Sequence, residues 1–260
     1  MDDIKKLNDE LEFYIRPQTF PLGIKMIKYG ENLPEKTKVP SKDFGLRIAI
    51  CQGISISRRY GWSVSMSRED INCPLTKVAF GFEREGEAYR SGKACCGMYT
   101  ETEEAGSKTE SMVPKFNYKE YQSVLSFPLT RATANPDLIL IYGNSAQVMR
   151  LLTGALYKRG GYLSSSFSGR IDCADIIIQT IKSQKCQVIL PCYGDRIFAQ
   201  TEDYEMAFTI PYSKISEVME GLSGTQKGGI RYPIPSFLRY EGHFPEKYKI
   251  IEGDWETKQK

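Results

Sequence analysis

The chain's chemically capable residues are mostly thiols. Seven cysteines (Cys51, Cys73, Cys95, Cys96, Cys173, Cys186 and Cys192) stand against a single histidine, His243. Sites built on two or three histidines are therefore excluded within one chain. A Ser-His-Asp triad would have to use His243, which lies in a polar, Pro-flanked stretch. No CxxC is present, so thioredoxin-type redox, ribbon zinc and ferredoxin runs have no local signature. Four cysteines instead stand singly beside turn or element-end residues. Cys51 precedes Gln-Gly, Cys73 precedes Pro74, Cys173 follows Ser-Gly-Arg-Ile-Asp, and Cys192 lies in Pro-Cys-Tyr-Gly. A fold can gather such dispersed thiols, and four thiolates complement one [4Fe–4S] cluster or one tetrahedral zinc. The competing reading is four inert buried thiols, since free cysteine is among the most buried residue types. The adjacent pair Cys95-Cys96 cannot easily aim both side chains at one metal and reads as incidental, with a redox role as its alternative.

Two further constellations compete for function. Cys192 is followed by Gly194, Asp195 and Arg196, and an arginine nearby would lower a thiol pKa, the requirement for a nucleophilic cysteine. Arginines also sit beside glycines or aromatics, and their planar fork suits carboxylate or phosphate. Arg58, Arg170 and Arg196, with the turn at Asn144, outline a metal-free module for a small anion. The plainer reading pairs these arginines with the chain's own acids and makes Asn144 an ordinary turn residue. Asp195, Asp203 and Glu205 are the carboxylates that stand out, as turn and strand-end acids. The Gly-rich string GLSGTQKGG lacks P-loop order, and no G-x-G-x-x-G follows a strand.

The composition limits the partners. The 260 residues carry a formal charge of +3, too mild for the concentrated basic face of a nucleic-acid binder. No apolar run approaches the roughly 20 residues that span a bilayer. The charged, amphipathic N-terminus is unlike a secretory signal, so the expectation is a cytoplasmic protein off the membrane. Its thiols are then expected to stay reduced rather than form structural disulfides.

The elements that must position these residues follow from periodicity. Ile4, Leu7, Leu11 and Tyr14 mark an N-terminal helix over 1–16, and alternation at Leu22, Ile24 and Met26 marks a strand. Around Cys51 a strand running into a helix and a single helix both fit. Ser67, with Asp70 three residues on, suggests a helix cap, and Pro74 suits the first position of a short helix. Residues 83–112, charged and Gly-rich around Cys95 and Cys96, read as the least regular part and as a mobile segment. The clearest unit is the strand Leu138 to Tyr142, a Gly143-Asn144 turn, and a helix stopped by Gly160-Gly161, a βα unit as in α/β folds. CADIIIQTIKS reads as helix, QVILPC and EMAFTIP as strands, and SKISEVMEGL as a short helix closed by Gly221. The expectation is an α/β or α+β fold, one domain over 1–260. A mixed β-sheet is flanked by helices, and a Gly/Pro/Tyr-rich C-terminal extension covers 223–260, with Tyr232, Phe237 and Tyr240 packing it down.

The strings CQGISISRRYGW, PDLILIYGNSAQVMRLLTGALYKRGG, SSSFSGR, LPCYGDRIFA, DYEMAFTIP and GIRYPIPSFLRYE resemble an uncharacterised prokaryotic family, domain-of-unknown-function family 169, the ArCR group. The resemblance runs from about PLGIKMI to FPEKY. It implies cysteines at the positions of Cys51, Cys73, Cys173 and Cys192, and other residues at Cys186 and Cys95-Cys96. The same four singletons thus emerge. The resemblance suits an anaerobe's iron–sulfur protein, of redox or sulfur metabolism, with a redox protein as partner.

Overall fold

The computed structural model describes residues 2–234, 244–251 and 253. His243, Phe237 and Tyr240 lie outside them. Six strands form one sheet: β1 (Leu22–Ile27), β2 (Val64–Ser67), β3 (Ser123–Pro128), β4 (Leu138–Gly143), β5 (Gln187–Ile189) and β6 (Met206–Pro211), in the order β2-β3-β1-β4-β6-β5. The expected helix-flanked sheet is present. Every pairing between these strands is antiparallel, which makes the fold α+β in character. Parallel geometry occurs at isolated bridges such as Lys38–Val64 and Ile48–Ile71.

Alternate side chains leave a strand on opposite faces, so the sheet feeds two apolar cores. Leu22, Ile24, Leu138, Leu140 and Tyr142 enter one, and Ile27, Leu125, Phe127, Ile139 and Ile141 enter the other. On the second face lie α1 (Asp2–Ile15), α7 (Ser145–Leu156) and α10 (Ile215–Lys227). On the first lie α3 (Ile50–Tyr60), α4 (Pro74–Ala79) and α8 (Gln179–Ser183), the last continuing a π-helical turn, Ala174–Ile178. Shorter helices complete the fold: α2 (Pro40–Asp43), α5 (Glu87–Arg90), α6 (Glu103–Met112) and α9 (Tyr193–Ala199).

Three local expectations are corrected. Ser67 ends β2 rather than capping a helix. Asp70 accepts from Ser67 Oγ at 2.6 Å and Ser41 Oγ at 2.5 Å, tying a turn to α2. Residues 83–112 are organised by α5 and α6, and the buried Arg170–Glu110 ion pair anchors α6. The helix at SKISEVMEGL does not stop at Gly221 but continues to Lys227, so the extension begins later than residue 223. Gly221 is there for close approach. A Cβ on it would lie 1.9 Å from the Gly154 carbonyl oxygen of α7, and one on Gly224 would lie 2.3 Å from the Tyr157 ring.

That contact gives a first prediction. Gly221→Ala should destabilise by about 2–3 kcal/mol, because the clash is with backbone and the two helices must separate. Gly228→Ala, whose Cβ would meet only Thr225 O at 3.4 Å and Gly224 O at 3.6 Å, should be close to neutral. Urea denaturation of the two variants checks the difference; equal midpoints would refute the packing argument.

Candidate functional site at the buried thiols

The four singled-out cysteines lie near enough to influence one another electrostatically, Cys173 in the first core, Cys73 packed partly against it, and Cys51 in a small cluster beside Cys73. Cys51 lies in the first turn of α3, Cys73 caps α4, Cys173 enters the π-helical turn, and Cys192 caps α9. Each position follows from local sequence. Pro74 opens α4 at its first position, where its missing N–H leaves no bond unmade. The run Ile176-Ile177-Ile178 is buried all round, so the helix after Cys173 is held by packing on every side. A π turn in that place is a departure often found at functional sites. Ala49, Cys51 and Ala199 form a small cluster with Cys73 against it, and Ser55 Oγ donates to Ala199 O at 2.8 Å, locking α3 to α9.

The thiols act on one another electrostatically. Burial, then Asp195, Asp172, Cys192 and Cys73, pushes the Cys51 thiol far above its ordinary value. Burial, then Asp172, Cys51, Cys73 and Cys192, does the same to Cys173. Cys192 is pushed up to about 12, by burial and then by Asp172. Cys95, Cys96 and Cys186 stand apart from this set. Cys186 is buried in the other core, and Cys96 Sγ donates to Glu101 O at 3.4 Å. Among the described residues no group of three or more His, Cys, Asp or Glu is placed to hold a metal ion as it stands.

Two carboxyls complete the site. Asp172 Oδ1 accepts from Cys192 Sγ at 3.1 Å, and its Oδ2 accepts from the Cys192 N–H at 3.2 Å. Asp195 Oδ2 accepts from the Tyr142 hydroxyl at 3.3 Å. Burial and then Asp195 hold Asp172 well above the usual carboxylate range, and burial raises Asp195 as well, against hydrogen bonding from Asp172 and the charge of Arg58. The two carboxyls influence each other, and Asp195 Oδ1 is buried with no hydrogen-bond partner as it stands. One proton shared between them, residing on Asp172, satisfies both.

The expected arginine site is dispersed. Arg58 is buried, and its Nη1 and Nη2 donate to Glu205 Oε1 at 2.5 Å and Oε2 at 2.9 Å; its guanidinium also stacks over Tyr142 at 4.2 Å. Arg170 is spent on Glu110. Arg196 donates to Glu202 O at 2.8 Å, with Asp203 at 3.6 Å. Asn144 caps α7, accepting from Gln147 N at 3.0 Å. The three arginines thus do not converge with Asn144 on one ligand. Nor does Arg196 activate Cys192, whose thiol faces Asp172 instead and is driven towards its neutral, weakly nucleophilic form. Of the flagged acids, Asp195 belongs to the site and Glu205 pairs with Arg58, while Asp203 is exposed. Asp172 and Tyr142 were missed. Asp172 directly precedes Cys173, and that adjacency was the only signal it carried in the sequence.

Among the described residues no helix is long and apolar enough to cross a membrane. No solved structure matches the chain. A relative, the uncharacterised protein MJ0308 of Methanocaldococcus jannaschii, is 25% identical over 204 residues, covering 77% of this chain and 85% of that protein. The model of the family described as "Uncharacterised ArCR" matches residues 10–221, a span that includes all four clustered thiols. The chain therefore belongs to this family, domain-of-unknown-function family 169.

Proposed function

We propose that the protein carries a [4Fe–4S] cluster on Cys51, Cys73, Cys173 and Cys192 and serves redox or sulfur-related chemistry. The observation that supports the reading is that four thiols from four distant segments, Cys73 half-buried and the other three buried, share one neighbourhood. Their donor set fits a cationic inorganic core. Packed with each other and with carboxyls, the thiols have every reason to stay protonated until positive charge arrives among them. Asp172 takes the Cys192 thiol on Oδ1 and the Cys192 N–H on Oδ2, so a carboxyl already stands beside that sulfur as the outer partner that metal ligands commonly have.

Zinc would draw four sulfurs to about 2.3 Å from a single point. A four-iron cluster gives each thiolate its own iron. When bound, the cluster would supply one-electron transfer, with a redox protein as its partner. The test is the visible spectrum of protein prepared without oxygen. A broad brown absorption that bleaches on reduction is expected, and a colourless preparation even after anaerobic reconstitution with iron and sulfide would refute the reading.

A further inference from the structure

Beside the thiol site lies a cleft of about 740 Å³ that none of the chemistry above uses. It is bounded by the end of α1 and the loop after it (Arg16, Gln18, Phe20), the end of α3 (Arg59, Tyr60) and the end of α9 (Gln200). We propose that it binds a small organic oxyanion, a phosphate or carboxylate joined to an apolar or aromatic body. The inference goes beyond the thiol reading and does not depend on it.

Charge, shape and backbone all bear on the cleft. Arg58 at its wall is neutralised by Glu205, which leaves Arg16 and Arg59 as its cationic groups. Arg59 Nη2 is oriented by Gln200 O at 2.7 Å, with Glu205 at 3.9 Å behind it. Arg16 is exposed and makes no ion pair among the described residues; Glu12 is the cleft's own carboxylate, and Asn8 Nδ2 donates to it at 2.9 Å. Phe20 and Tyr60 present exposed rings to an apolar body.

The backbone at the rim is held in an unusual form. Arg16 has φ +50° and Gln200 has φ +54°, two of only five left-handed non-glycine residues among those described. Both residues end a helix, where a left-handed residue is a usual stop, and the stop fixes where each side chain leaves the rim. The Arg16 conformation is imposed by buried Gln147, whose Nε2 donates to Ile15 O at 3.1 Å and Arg16 O at 2.7 Å. Gln200 ends α9, its N–H bonded to Asp195 O.

The cleft is also wired to the thiols. Helices α3 and α9 each carry a cysteine at the N-terminal end and a cleft residue at the C-terminal end. On α3 the interval from Cys51 to Arg58 is roughly 10 Å.

The test uses phenyl phosphate and benzoate as probes, with phenol and benzylamine as neutral and cationic controls, titrated calorimetrically into the full chain. At least one anionic probe should bind, and both controls should bind at least roughly tenfold more weakly. Arg59→Gln and Arg16→Gly should each weaken the anion at least roughly fivefold. Arg16→Gly should melt no lower than the wild type, because glycine accepts the left-handed backbone. No binding of either anion by the wild type, equal binding by the controls, or unchanged binding in both variants would overturn the proposal. So would an Arg16→Gly protein that is destabilised yet binds normally.

Discussion

Replacing any one of the four clustered thiols should remove the metal, and replacing Cys186 should not. Cys192→Ala, prepared without oxygen, is expected to fall from about four irons per chain to near none, because a three-thiolate site in a buried, acid-rich pocket loses both a ligand and the charge balance. Its stability should drop with the cofactor, since whatever binds only the folded state stabilises it by mass action. Cys186→Ala removes an equally buried thiol from the opposite core and should retain the iron while costing about 1 kcal/mol of packing. The two variants share the loss of one buried thiol and differ only in the face of the sheet. Equal iron in both would sink the ligand assignment, whatever happened to stability.

The second large effect is expected at the Arg58–Glu205 pair. Both side chains are almost fully buried, and the guanidinium also reaches Thr201 Oγ1 at 3.1 Å and stacks on Tyr142. Arg58→Met should cost about 3–5 kcal/mol, because it strands the Glu205 carboxylate away from water. Glu205→Gln should cost less but depend on pH. Burial pushes the Glu205 pKa up, but the Arg58 fork and the Glu202 N–H push harder, and the carboxyl rests below its ordinary value of 4.5. A carboxylate with a lowered folded pKa contributes stability above its unfolded pKa, and that contribution fades as pH falls through the folded one. The gap in urea midpoint between wild type and Glu205→Gln should be full at pH 7 and shrink below about pH 4.5. A gap that widens in acid would contradict the assignment of charge to this pair.

How far the sequence could reach is seen in particular elements. Leu138 to Tyr142 is legible as a strand because it is apolar throughout, and that property reports two covered faces. It says nothing about strand direction, and the neighbours β1 and β6 both run antiparallel to it. CADIIIQTIKS is legible as helix, but its π turn is not, since Ile176, Ile177 and Ile178 are buried on all sides and leave no period to read. Gly221 looks like a helix stop and is instead a contact with α7, a distinction set by a residue 67 positions earlier, Gly154. The four cysteines could be picked out by their turn neighbours. Their shared pocket with Asp172, Asp195 and Tyr142 is a product of the fold, because strand order, not spacing, brings β4 and the starts of α3 and α9 together. Of the cleft arginines, Arg59 is legible beside Arg58 in RRYGW, whereas Arg16 has no aromatic or glycine neighbour to mark it. Arg58 drew notice and is consumed by Glu205, while Arg16 stands out only through its backbone conformation.

The central claim is tested most directly by iron, zinc and acid-labile sulfide analysis of the wild-type chain purified under strict exclusion of oxygen. About four irons and four sulfides per chain, with little zinc, is the result expected for one cluster on four thiolates. One zinc per chain without sulfide, or no metal after anaerobic reconstitution, would contradict it.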